Sequence, residues 1–98
     1  MKMLQGRFKW TKSRAEYEKA ATLLAKEIAK APGLHWKMWA FDDERSMATG
    51  VYLFKDLDTL NKYLKWLHDM GPTPGVENFE VTVWDVQRGL SKITNGPV

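Results

Sequence analysis

The chain contains no cysteine, which removes disulfides, thiolate metal sites and a cysteine nucleophile together. The redox compartment is left open, and the cytoplasm is the default expectation. No apolar run approaches the roughly 18–20 residues that a membrane-spanning helix needs, so no membrane partner is expected. The opening residues, MKMLQGRFKW, lack the apolar centre of a signal peptide. Histidine is scarce: His35 and His68 are the only two, and their separation matches no metal-ligand spacing. The acidic run Asp42-Asp43-Glu44 reads as a solvated turn, so no metal is expected. No GxGxxG follows a strand, no Walker-type phosphate loop occurs, and there is no G-x-S-x-G elbow. A bound nucleotide cofactor and a serine hydrolase are thereby disfavoured, and no cofactor is expected. Charge of one sign is also lacking. The net value is +3, with basic residues interspersed among acidic ones, and nothing demands nucleic acid.

What is present suits one folded domain over residues 1–98. Apolar residues make up 44% and charged residues 28% of the chain, a globular balance that argues against disorder. Tryptophan is abundant, with five in 98 residues. Residues Met3–Trp10 alternate, with Leu4, Gly6, Phe8 and Trp10 on one side and Gln5, Arg7 and Lys9 on the other, which is a strand period. Ser13-Arg14-Ala15-Glu16 matches a capping box. The next segment is a helix that turns Tyr17, Ala21, Leu24, Ile28 and Ala31 inward, and Pro32-Gly33 ends it. Leu34–Phe41 and Met47–Phe54 read as a hairpin joined by the polar segment Asp42–Ser46. Asp56 or Asp58 caps a second helix with Leu57, Leu60, Leu64 and Leu67 as its inner stripe. Gly71-Pro72-Thr73-Pro74-Gly75 is a loop, and Phe79, Val81 and Val83 alternate with Glu80, Thr82 and Trp84 in a last strand. The tail from Gln87 has only Leu90 and Ile93 as anchors and is free to cross to a partner.

This order is β-α-β-β-α-β, a ferredoxin-like α+β fold with a four-stranded antiparallel sheet and both helices on one face. Pairing across the hairpin gives two sets of side chains. Leu34, Trp36, Met38, Ala40, Ala48, Gly50, Tyr52 and Phe54 carry no charge and are expected under the helices. His35, Lys37, Trp39, Phe41, Met47, Thr49, Val51 and Leu53 then occupy the open face with Arg7 and Trp84. The split depends on register, because a one-residue slip exchanges the faces. So apolar an open face needs a cover. Self-association, an RNA platform and an unrelated protein partner are the three candidates. The RNA reading expects K/R-G-F/Y-G/A-F-V-x-F/Y in the third strand. MATGVYLF keeps Gly50 and Phe54 but lacks the leading base and the stacking aromatics. A homodimer through the open sheet face is the favoured account, and Trp39→Glu is expected to disrupt it.

The segments Pro32-Gly33-Leu34-His35-Trp36-Lys37-Met38-Trp39, Gly50–Phe54, Val83-Trp84-Asp85-Val86 and Leu90-Ser91-Lys92-Ile93 together carry a resemblance. They are similar to the YdhR-type monooxygenase family, small members of the dimeric α+β barrel superfamily related to antibiotic-biosynthesis monooxygenases. The resemblance runs nearly end to end. It implies a homodimeric barrel with helices outside, a pocket for a small aromatic molecule, and oxygenation without metal, haem or flavin.

Cofactor-free oxygenation needs a base to deprotonate a phenol and a dry aromatic cavity to protect the reactive intermediates. His35 is the natural base candidate, and Asp85, at a strand end, is a second. Arg7 or Lys37 could hold an anionic oxygen. Trp36, Trp39, Tyr52, Trp66 and Trp84 could wall the cavity. Each has a plainer role: His35 and Lys37 as an interface pair, Arg7 facing Glu80, Asp85 capping the tail, and Trp36, Tyr52, Tyr63 and Trp66 as core. His68 suits a helix C-terminus. Two functions therefore stand open, an oxygenase for a small aromatic or quinone-like compound and a non-catalytic dimer that binds such a ligand.

Overall fold

Alternating sequence builds four strands, β1 (Lys2–Trp10), β2 (Leu34–Asp42), β3 (Met47–Phe54) and β4 (Val76–Asp85). The computed structural model describes all 98 residues, Met1–Val98. The strands form one antiparallel sheet in the order β2-β3-β1-β4. Two long helices, α1 (Arg14–Ile28) and α2 (Leu57–Asp69), cover one face, and a short α3 (Arg88–Ile93) comes after β4. The arrangement is the β-α-β-β-α-β one expected. Helix starts are fixed by side-chain caps: Ser13 Oγ accepts from the Glu16 amide at 3.1 Å and Asp56 Oδ1 from the Thr59 amide at 2.9 Å. No helix is long and apolar enough to cross a membrane.

The core is in two parts. Leu4, Ile28, Tyr52, Phe54, Leu60 and Tyr63 form the larger cluster, and Trp10, Tyr17 and Ala48 the smaller. Helix α1 joins them, since Leu24 and Ile28 pack into the first while Tyr17 and Ala21 pack into the second. Burying each large side chain stabilises the fold by roughly 1.5–3 kcal/mol. The two layers are pinned at Gly33, where φ is +76° and a Cβ would lie 2.5 Å from Thr59 Oγ1. Its carbonyl also accepts from the Lys55 amide at 2.8 Å. Gly33→Ala is expected to cost about 2–3 kcal/mol through the left-handed backbone and the Thr59 clash, read as a fall in the denaturant midpoint at unchanged slope.

The faces of β2 correct the sequence expectation. Asp42 belongs to the strand and pairs with Met47. Its carboxylate accepts from the amides of Glu44 and Arg45 and from Arg45 Nε, so it starts the turn from inside the strand. The connecting loop is thus Asp43–Ser46, not Asp42–Ser46, and the register of β2 moves by one residue. Trp36, Met38 and Ala40 accordingly lie on the open face, beside Val51 and Leu53, while Lys37, Trp39 and Phe41 lie under the helices with Tyr52, Gly50 and Ala48. A bulge at His35, between the pairs Leu34↔Phe54 and Trp36↔Leu53, returns Leu34 to the helix side. The tail folds back on its own sheet, with Trp36 Nε1 donating to the Pro97 carbonyl at 2.9 Å. Leu53 below it is only 2% exposed. Leu90 and Ile93 remain exposed.

Candidate functional site

The register lays side chains across the helix-side face in rows. One row runs Lys37, Tyr52, Leu4, Val83 from β2 to β4; the next runs Trp39, Gly50, Gly6, Val81. Gly50 and Gly6 are direct partners, so the middle of the second row has no side chains. The row is therefore low between the two core clusters, a trough into which Lys37 reaches over Gly50 and the Phe79 ring over Gly6, 3.6 Å from where a Cβ would stand. Trp39, 38% exposed, stands at its β2 end and Val81 at its β4 end. Phe79 also packs on Phe8 with ring centroids 6.2 Å apart.

Lys37 reaches into this trough. Its Nζ lies 3.3 Å from the Trp39 ring centroid and 4.4 Å from that of Tyr52. A Cβ on Gly50 would stand 2.6 Å from Lys37 Cε, so the lysine can cross only because position 50 is glycine. No hydrogen-bond acceptor or carboxylate meets the ammonium. Burial pushes it from 10.5 down to about 7, while the two ring faces favour the cation. The amine is therefore a base that titrates near neutrality.

Beneath it, the Tyr52 and Tyr63 hydroxyls are hydrogen-bonded at 2.8 Å. Burial raises both phenols, Tyr52 further through its neighbour Tyr63 and Tyr63 less because the bond to Tyr52 opposes it. Both stay protonated in ordinary buffers. Tyr63 also meets Trp66 at 5.8 Å between ring centroids. These two line a groove of about 260 Å³ between the end of α1 and α2, with Glu27, Ile28, Ala31 and Lys62 on its other walls.

The fold gathers some of the residues singled out from sequence and scatters the others. Lys37, Trp39 and Tyr52 come together in the trough, and Trp66 is connected to them through Tyr63. Trp36 and Trp84 lie on the open face, where Trp84 Nε1 donates to Thr82 Oγ1 at 3.2 Å. Arg7 also faces out, with Nε and Nη2 donating to Glu80 Oε2 at 3.1 and 3.0 Å. It borders a shallow hollow of about 260 Å³ with Gln5, Arg45 and Thr49. His35 is the exposed bulge residue of β2. Asp85 pairs with Lys2 at the far edge, and that hydrogen bond and charge hold its carboxyl below the usual range. His35, Arg7 and Asp85 thus occupy three separate places. Tyr63, which its helical spacing marks only as core, is a polar partner in the site; its one signal is a tyrosine within a leucine stripe. No group of three or more His, Asp or Glu side chains is placed to hold a metal ion.

Comparisons with known proteins can be set beside this geometry. The family model described as "Putative mono-oxygenase ydhR" matches residues 3–97. No curated protein matches the sequence significantly. In structure the chain resembles SnoaB, a cofactor-independent oxygenase from Streptomyces nogalater, with a TM-score of 0.72 and 15% identity over 88% of this chain and 92% of that one. It also resembles a protein from Deinococcus radiodurans described as a "putative antibiotic biosynthesis monooxygenase". There the TM-score is 0.69 and the identity 12%, over 88% of this chain and 92% of the other. At such identities the likeness establishes a shared fold.

Proposed function

Because the chain belongs to the ydhR mono-oxygenase family, we propose that it is a cofactor-independent monooxygenase acting on a small aromatic or quinone-like compound, working as a homodimer. The observation that carries this reading is the trough over Gly6 and Gly50, lined by Trp39 and Tyr52 and holding one unpaired amine. Without a redox cofactor, the electrons that reduce oxygen must come from the substrate. A hydroquinone meets that need: it ends as a hydroxyquinone, one oxygen atom entering the ring and the other leaving as water. The protein's part is to take the hydroxyl proton, which makes the ring electron-rich, and to keep bulk water from the oxygenated intermediate.

The open face supports the dimer. Trp36, Met38, Val51 and Trp84 leave an apolar surface there, with Met38 62% exposed, more than a monomer keeps wet without a use. Met38→Glu is expected to give monomer or insoluble protein, since it puts an unpaired charge into the sheet interface. Trp39→Glu, on the helix side, should leave the dimer whole. Size-exclusion profiles of the two variants test this, and the reverse result would move the interface to the other face.

The functional test is oxygen consumption with a panel of hydroquinones and dihydroxyaromatics, without added metal or flavin. Substrate-dependent uptake above a heat-inactivated control is expected. A ligand-binding dimer is the second reading, favoured by the lack of any group hydrogen-bonded to Lys37. It predicts saturable quenching of tryptophan fluorescence with no uptake across the panel.

A further inference from the structure

Of the basic residues in the chain, only Lys2 and Lys37 are not exposed, and they differ in one respect. Lys2 has Asp85 as its partner. The paired cations on and around the sheet obey the same rule: Arg7 has Glu80, Arg14 has Asp43, and Arg45 has Asp42. Lys37 has two ring faces and no anion. A half-buried ammonium without a carboxylate is costly, and ring faces offset that cost only in part. An anionic oxygen against Nζ would complete the arrangement through a charge-assisted hydrogen bond. The Tyr52 and Tyr63 hydroxyls, bonded to each other, are neutral and supply no anionic oxygen. The missing partner is therefore external.

We propose that Lys37 is the group that recognises the ligand, which is a planar compound carrying an acidic hydroxyl. It binds as its anion against the Lys37 ammonium, the hydroxyl proton passing to the amine where that is neutral and to solvent where it is already charged. The inference rests on the reading of the trough as the substrate site and narrows the substrate class to acidic phenols and enols. With a neutral amine the ligand O–H bond breaks and an N–H bond forms on Nζ; with the ammonium already formed the O–H proton leaves to the buffer, and the same ion pair results. Trp39, partly open to solvent beside Nζ, offers a face on which a planar ring can stack. Neutral isosteres lacking the proton leave the amine unpaired and bind more weakly.

The experiment uses 4-nitrophenol, whose anion is yellow and whose acid is colourless, and 4-nitroanisole, which has no proton to give. Neither reacts with oxygen, so the outcome is separate from oxygenase activity. In mildly acidic buffer the wild-type protein is expected to turn 4-nitrophenol yellow saturably, and to bind 4-nitroanisole at least tenfold more weakly. Lys37→Met should bring the two affinities together and leave bound 4-nitrophenol colourless. Equal affinities in the wild type, no binding of 4-nitrophenol, or undiminished anion formation by Lys37→Met would each overturn the proposal. Should that variant not fold, wild-type protein carrying 13C-methylated lysines gives the same answer. The Lys37 resonance, set apart by the rings of Trp39 and Tyr52, must move when 4-nitrophenol binds, and a resonance that stays still overturns the assignment. Anion binding without oxygen uptake would remove the oxygenase reading alone. Oxygen uptake without anion binding would remove the role of Lys37 alone.

Discussion

Lys37→Met is expected to raise the thermal midpoint by about 10 °C at pH 6 and to leave it almost unchanged above pH 10.5. The amine falls from 10.5 in the unfolded chain to about 7 in the folded protein. Below pH 7 both states carry the proton, and the folded state bears the whole cost of the half-buried charge. Between pH 7 and 10.5 the unfolded chain binds more protons than the folded one, so wild-type stability rises with pH through that window. Above it both states are neutral and the cost is gone. A shift of this size corresponds to about 5 kcal/mol at 1.36 kcal/mol per unit. Partial exposure and the faces of Trp39 and Tyr52 return part of that, leaving roughly 2 kcal/mol. For a domain of this length each kcal/mol moves the midpoint by about 4–8 °C. Other groups titrate over the same range, but the difference between variant and wild type isolates Lys37. A variant no more stable than wild type at pH 6 would mean that the ammonium is already well solvated, and the base would have to be sought elsewhere. Turnover is expected to fall as stability rises, the usual mark of a group kept for function.

Much of the fold is legible in the sequence because its signals are local. Ser13 and Asp56 cap helices by their own side chains, Pro32-Gly33 stops α1, and alternation along β1 places Leu4, Gly6 and Phe8 correctly. The family resemblance carried by Pro32–Trp39 and Gly50–Phe54 likewise comes from contiguous residues. The faces of β2 are not legible, because they turn on one residue of loop length. Whether Asp42 starts the loop or ends the strand depends on where its carboxylate finds amides, and alternation in HWKMWAF reads equally well either way. The bulge at His35 then hides the slip at the other end of the strand. The candidate site inherits that error. Alternation alone puts Lys37 and Trp39 on the open face with Arg7 and Trp84, whereas they lie with Tyr52 and Tyr63 under the helices. Histidine stands out as a base by its ordinary titration range, but His35 sits exposed on a bulge. Burial, which sequence reports poorly for a single lysine, is what brings an amine to the same range.

The same geometry makes Gly50→Ala the sharpest probe of the trough. A methyl group at this position would stand 2.6 Å from Lys37 Cε and 3.3 Å from both Lys37 Nζ and Tyr52 Cε1. Something must move. The Tyr52 ring is fixed by the bond to Tyr63 and by stacking on Phe54, with centroids 6.0 Å apart. The tip of Lys37 has no bond to break, so the lysine swings out to solvent. Its amine then returns toward the ordinary lysine range, and the fold loses a buried charge along with two cation–π contacts. Alanine is also about 0.5–1 kcal/mol better than glycine inside a strand. Net stability should therefore change by less than about 1 kcal/mol, an unusually mild result for a substitution at so close a contact. Ligand binding should not be mild. Gly50→Ala is expected to lose 4-nitrophenolate binding to the same extent as Lys37→Met, at least tenfold, although it leaves the lysine in the chain. The double variant should lose no more than either single one, because both changes remove the same contact. Retained anion binding in Gly50→Ala, beside a defective Lys37→Met, would show that the amine acts from outside the trough. A collapse in stability would show that Tyr52 and the sheet yield instead of the lysine. Additive losses in the double variant would separate the two residues and leave Gly50 with a role in shaping the floor alone.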